Sequence, residues 1–174
     1  MDERLNAYQL NHLRTKSTMG QKGYLTNLAS EFYVLSVLSR LGYDASLTLG
    51  NRKRVDITVV LEEGIAVTID VKAVAGKMDW LLGNSIPHVA ESHFIVLVSY
   101  EGDFENPVIL PRVWIAPSTE LSPFIKIAGN GKTRYLPRKA FLETGKQFEN
   151  AWSSLKKVYV TASLRKNALR NTRT

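Results

Sequence analysis

Two alternating runs, Val55–Leu61 and Ile65–Ala73, flank Glu62-Glu63-Gly64, and this pairing constrains the chain more than any other feature. Alternation with a period of two is a strand signal. A three-residue loop ending in glycine joins such strands as a hairpin, with Gly64 taking the positive-φ position. Val55, Ile57 and Val59 must share a face with Ile65, Val67, Ile69 and Val71, because a one-residue slip would set them against Thr68, Asp70 and Lys72. With a three-residue loop, Leu61 opposes Ile65, Ile57 opposes Ile69, and Asp56 falls opposite Asp70. Opposed Cβ atoms lie roughly 4.5–5.5 Å apart, so two carboxylates there call for a cation between them. Lys72, two residues along on the same face, is one candidate and a divalent metal is the other. A one-pair change in the loop keeps the face and moves Asp56 opposite Lys72 or Thr68.

The segment Met19–Leu41 predicts a helix, with Ser17 or Thr18 as cap and Gly42 as stop. Its stripe, Tyr24, Leu28, Glu31, Leu35, Leu38, steps along one face and contains a single carboxylate. A buried, unpartnered carboxylate costs several kcal/mol or becomes neutral, so Glu31 calls for a partner. If the helix packs on the hairpin, Glu31, Asp56, Asp70 and Lys72 converge into a hard-oxygen site suited to Mg²⁺.

Elsewhere the pattern predicts a short strand at Ser46–Leu49, an irregular or partly helical stretch from Ala75-Gly76 to Glu91, and a buried strand at His93–Tyr100. A further strand follows at Arg112–Ala116, then a turn at Gly129-Asn130-Gly131 and a helix over Pro137–Leu155. This order implies mixed α/β architecture with helices on both sides of a sheet. Trp80, Trp114 and Trp152 are expected in the core.

The chain has 174 residues, 44% hydrophobic and 22% charged, enough for one domain with a real core. With no cysteine, thiolate zinc sites, Fe–S clusters, disulfide scaffolds and cysteine nucleophiles are excluded. No apolar run reaches the roughly 20 residues of a membrane span, and MDERLNAYQL lacks a signal-peptide core, so no membrane association and a cytoplasmic location are expected. Net charge is +7, unevenly spread: residues 1–121 carry 11 basic and 14 acidic side chains, residues 122–174 carry 12 and 2. A domain over 1–163 followed by a basic tail over 164–174 fits this pattern, with Arg165, Lys166 and Arg170 as nucleic-acid contacts or merely a solvated end.

Asp70-Val71-Lys72 closing one strand, Arg54-Val55-Asp56-Ile57 opening its partner and a helical glutamate before both resemble the PD-(D/E)xK nuclease superfamily, which includes restriction endonucleases and Holliday-junction resolvases. The resemblance covers about Gly20–Tyr100. It implies a restriction endonuclease-like α-β-β-β-α-β core, with a mixed central sheet flanked by helices, and Mg²⁺-dependent hydrolysis of DNA phosphodiesters. Mn²⁺ is a substitute metal. By the same resemblance, Asp56, Asp70 and the Val71 carbonyl are metal ligands, Glu31 is an accessory one, and Lys72 serves the attacking water and the phosphate. Val55 stands where many members have proline, and the second acid is aspartate rather than glutamate. Arg52, Lys53 and Arg54 adjoin the site along the chain and can hold a phosphate backbone, or be a solvated turn. Many members dimerise to address two strands, so a homodimer is one expectation.

Gly131-Lys132-Thr133 resembles the end of a P-loop, but Lys126 replaces its first glycine, so no nucleotide cofactor is expected. His88, Glu91 and His93 lack zincin spacing, although His88 or Glu91 has room for a supporting role. Two other readings compete with a nuclease: a non-catalytic nucleic-acid-binding or assembly protein on the same fold, and an unrelated α/β domain whose charges form an ion-pair network.

Overall fold

The computed structural model describes residues 19–48, 55–62, 65–83 and 89–158. Helix α1 (Met19–Arg40) ends in a Schellman turn. Tyr43 N–H returns to the Leu38 carbonyl and Gly42 N–H to Ser39, with Gly42 at φ 80°. The buried face of α1 is Thr26, Ser30, Glu31, Val34 and Leu38. This differs from the expected stripe at its first member, since Tyr24 is 63% exposed. Small hydroxyl residues occupy the N-terminal half of that face instead. Their polar hydrogens stay satisfied, because Thr26 Oγ1 donates to the Lys22 carbonyl and Ser30 Oγ to the Thr26 carbonyl.

Five strands form the main sheet: β1 (Asp44–Leu47), β2 (Ile57–Glu62), β3 (Ile65–Val74), β5 (His93–Ser99) and β6 (Arg112–Pro117), in the order β1-β2-β3-β5-β6. Only the β3/β5 pair is parallel. The hairpin register follows the sequence reading from Ile57↔Ile69 to Val60↔Ala66. It then departs at a bulge, where Glu62 rather than Leu61 pairs with Ile65, because an extra residue is taken up on β2. Gly64 and its turn lie outside the described residues.

Every residue of β5 is buried, as its unbroken apolar run requires, because both faces of the sheet are covered. On one face Val34 and Leu38 of α1 pack against Ile57, Val67, Ile69 and Val71. On the other, Ile95, Leu97 and Trp114 pack against Trp80 and Phe141. The second layer is a small sheet of β4 (Trp80–Gly83), β8 (Arg134–Leu136) and β7 (Lys126–Ile127), in the order β4-β8-β7. Trp80 anchors it: its indole N–H donates to the Val98 carbonyl at 3.0 Å and its ring meets Trp114 edge-on at 5.4 Å.

Two expectations are corrected. The connection from β3 to β5, where the resemblance implies a helix, carries strand β4 and no helix among its described residues; residues 84–88 lie outside them. The continuous helix expected over Pro137–Leu155 is broken. After α2 (Ser118–Leu121), helix α3 covers only Arg138–Thr144, and a short 3₁₀ turn follows at Lys146–Phe148. Phe141 and Phe148 serve the second core and Leu155 the first, so the chain must pass round the β6 edge. It does so with Asn150 at φ 50°, its N–H donating to the Val113 carbonyl. A straight helix cannot serve opposite faces of one sheet.

Candidate functional site

Asp56 immediately precedes β2, and its backbone ties the start of the hairpin to both neighbours: its N–H donates to the Ile69 carbonyl and its carbonyl accepts from Thr48 N–H, each at 2.9 Å. Ile57↔Ile69 is the last ladder pair at this end of the hairpin among the described residues, before the place opposite Val71. The buried Asp56 side chain fills that place. Its Oδ2 accepts the Val71 N–H at 2.7 Å, a charge-assisted bond. Within a strand a residue's N–H and C=O point to the same side, so the Val71 carbonyl faces the same side as the Asp56 carboxylate.

Strand alternation places Val71 and Ile69 toward α1, and Thr68, Asp70 and Lys72 toward the other face. Lys72 Nζ lies 3.8 Å from Asp70 Oδ2, with side-chain exposures of 27% and 21%. The expected Asp-Lys juxtaposition is therefore present, and it is partly open to solvent. Glu31 is buried on α1, the helix whose Val34 and Leu38 pack on the face of β3 opposite Asp70 and Lys72. Among the described residues, no three of His, Cys, Asp and Glu are grouped to hold a metal. Amphipathic spacing located the buried glutamate, whereas which face of the hairpin α1 would cover is a tertiary matter.

His93 is a neighbour that sequence reasoning did not assign to the site. It is fully buried at the start of β5 and paired with Thr68, whose Oγ1 is 2.9 Å from His93 Nδ1; His93 Nε2 lies 3.9 Å from Asp70 Oδ2. The available signal was one titratable residue opening an otherwise apolar strand. Its partner could not be read, because the offset between parallel strands is set by the crossover. Glu91 is exposed; Arg52, Lys53, Arg54, His88, Arg165, Lys166 and Arg170 lie outside the described residues.

Farther along the same face, Arg138 Nη2 donates to Glu101 Oε1 at 2.6 Å and Nη1 to Ser99 Oγ at 2.9 Å, while Ser99 Oγ donates to Glu101 Oε1. Burial acts to raise the Glu101 pKa, but the hydrogen bonds from Ser99 and Arg138 and the charges of Arg138 and Arg112 hold its carboxyl below the ordinary range. Arg138 N–H also donates to Asp79 Oδ1. The cluster fastens α3 and the β4 segment to the end of β5, a structural use of charge rather than an open site.

No protein-family model matches the sequence, and no curated protein matches it. No helix of the described residues is long and apolar enough to cross a membrane. Among solved structures, a bacterial homing endonuclease, I-Ssp6803I, superposes with a TM-score of 0.51 at 15% sequence identity, covering 79% of this chain and 95% of that one. Likeness at that identity speaks to architecture alone, so the chain is a mixed α/β protein that shares its overall fold with that structure.

Proposed function

We propose that this protein is a Mg²⁺-dependent endonuclease of the PD-(D/E)xK type that hydrolyses DNA phosphodiester bonds, with Asp56, Asp70 and Lys72 at its centre. The observation that carries the reading is the bond of the Asp56 carboxylate to the N–H of Val71, the residue that separates Asp70 from Lys72 in β3. The shared fold with a homing endonuclease supports it.

The donor set fits the metal. Mg²⁺ is held by one or two carboxylates and keeps several waters, so Asp56, Asp70 and the Val71 carbonyl suffice, and Mn²⁺ accepts the same oxygen donors. Such a metal polarises phosphate and makes its bound water more acidic. Lys72 offsets charge developing on the phosphate, Asp70 orients that ammonium, and Glu31 enters as an accessory carboxylate from the α1 side. Arg52, Lys53 and Arg54, with Arg165, Lys166 and Arg170, complete the proposal as backbone contacts. A homodimer, one copy for each strand, belongs to the same reading.

Purified protein incubated with plasmid, linear duplex, four-way junction and single-stranded DNA should cleave at least one in Mg²⁺ or Mn²⁺ and none in EDTA. Asp70→Asn and Lys72→Ala should each lower the rate by at least about 100-fold, with DNA binding kept. Undiminished cleavage by Asp70→Asn would rule the site out. A second reading, a non-catalytic nucleic-acid-binding protein on this fold, is favoured by the Asp56 oxygen being engaged by a backbone amide. It predicts salt-sensitive DNA binding and no cleavage by the wild type.

A further inference from the structure

We propose that the β7–β8 hairpin is a DNA-holding ribbon that sits in a groove of the duplex beside the site; duplex as the partner rests on the nuclease reading above. Residues 126–139 contain five basic side chains and no acidic one. Arg138 is committed to Glu101, which leaves Lys126, Lys132, Arg134 and Lys139 outside that ion pair. Lys126 and Lys132 are exposed, and neither is ion-paired among the described residues. Ile127, between them on the ribbon, is 58% exposed, an apolar side chain that water does not reward but a sugar or base edge can cover.

The ribbon is preformed. Lys126 pairs with Tyr135 and Ile127 with Arg134. Across the tip, Ala128 N–H donates to the Thr133 carbonyl, and Asn130 Oδ1 accepts from both Lys132 N–H and Thr133 N–H. Gly131 supplies φ 70° there. Charges on a preformed tip lose little freedom on binding. A two-stranded ribbon also fits the major groove, about 12 Å wide.

Placement selects this hairpin over other basic segments. The β4-β8-β7 sheet lies on the face of the main sheet that carries Asp70 and Lys72. Strand β4 belongs to the connection that returns from Val74, at the end of β3, to His93, which pairs with Thr68. Trp80, the anchor of the small sheet, bonds the Val98 carbonyl, next to Leu97, the β5 partner of Lys72, so the small sheet stands beside the Lys72 end of the Asp70–Lys72 segment.

The test is fluorescence anisotropy of the full chain with labelled duplex DNA in EDTA, across a salt series. Lys126→Gln/Lys132→Gln should weaken binding at least about tenfold at low salt and make the slope of log affinity against log salt shallower by about 1.8, two phosphates at about 0.9 each. Lys22→Gln/Lys156→Gln, the same charge change on the α1 side, should do neither; both pairs are exposed, and circular dichroism checks their folding. A hairpin pair that behaves like the control pair, a wild type that binds no duplex, or an equal loss with single-stranded RNA or anionic vesicles overturns the proposal. Hairpin-dependent binding without cleavage in Mg²⁺ would sink the nuclease reading alone. Cleavage by a protein whose affinity ignores the hairpin would sink this one alone.

Discussion

Replacing Asp56 separates its structural duty from its proposed chemical one. In Asp56→Ala the Val71 N–H, buried at the end of β2, loses the acceptor held at 2.7 Å. Leaving such a donor unsatisfied costs about 1–3 kcal/mol, and a charge-assisted bond belongs in the upper half, so about 2 kcal/mol is expected. For a chain of 174 residues that lowers the melting temperature by roughly 4–8 °C. Asp56→Asn keeps a carbonyl oxygen for Val71 and should lose about 1 kcal/mol or less. On the nuclease reading both variants are equally inactive, because an amide cannot supply a carboxylate's charge to a metal. Thermal unfolding and plasmid nicking on the same preparations check the pair. Equal destabilisation by Ala and Asn would refute the role given to the Val71 bond, and an active Asp56→Asn would refute the metal-ligand role.

Two further outcomes follow from the fold. Glu101 has its pKa held below the ordinary value of about 4.5, so its contribution to stability is present above that value and fades as pH falls through the lower folded value. Urea unfolding should therefore show Glu101→Gln less stable than wild type at pH 7 and the gap closing toward pH 3; a gap independent of pH would contradict the ion-pair account. Gly145→Ala should destabilise by about 1–3 kcal/mol, because a Cβ there would meet the Phe141 ring at 2.7 Å. A melting temperature equal to wild type would show that the aromatic cluster yields easily.

The hairpin is legible in the amino-acid sequence because two strong periodic signals and a short loop leave one register, and Ile57↔Ile69 follows it. That same register brings Asp56 to the Asp70–Lys72 segment. The bulge at Val60/Glu62 is not legible there, since an extra residue in a loop or in a strand leaves the alternation on either side intact. For α1, spacing predicts the helix and its stop. The rotation that buries Ser30 and exposes Tyr24 depends on how closely the helix approaches the sheet. Helix α3 ends where it does because Phe141 and Leu155 answer to different cores, although their spacing suits one helix face.

By itself the sequence determined the mixed α/β class, the β2/β3 pairing, the Asp56, Asp70 and Lys72 neighbourhood and the basic bias of the last third, all of which follow from local period, loop length and charge. Tertiary structure decided what crosses between segments far apart in the chain. It laid α1, which carries Glu31, over the face of β3 opposite Asp70, set His93 beside Asp70 through a parallel offset, and raised a basic ribbon on the face of Asp70 and Lys72. The physical reason is common to all three. Side-chain period fixes which residues share a face of one element, but which element covers that face is settled only when both cores are packed at once.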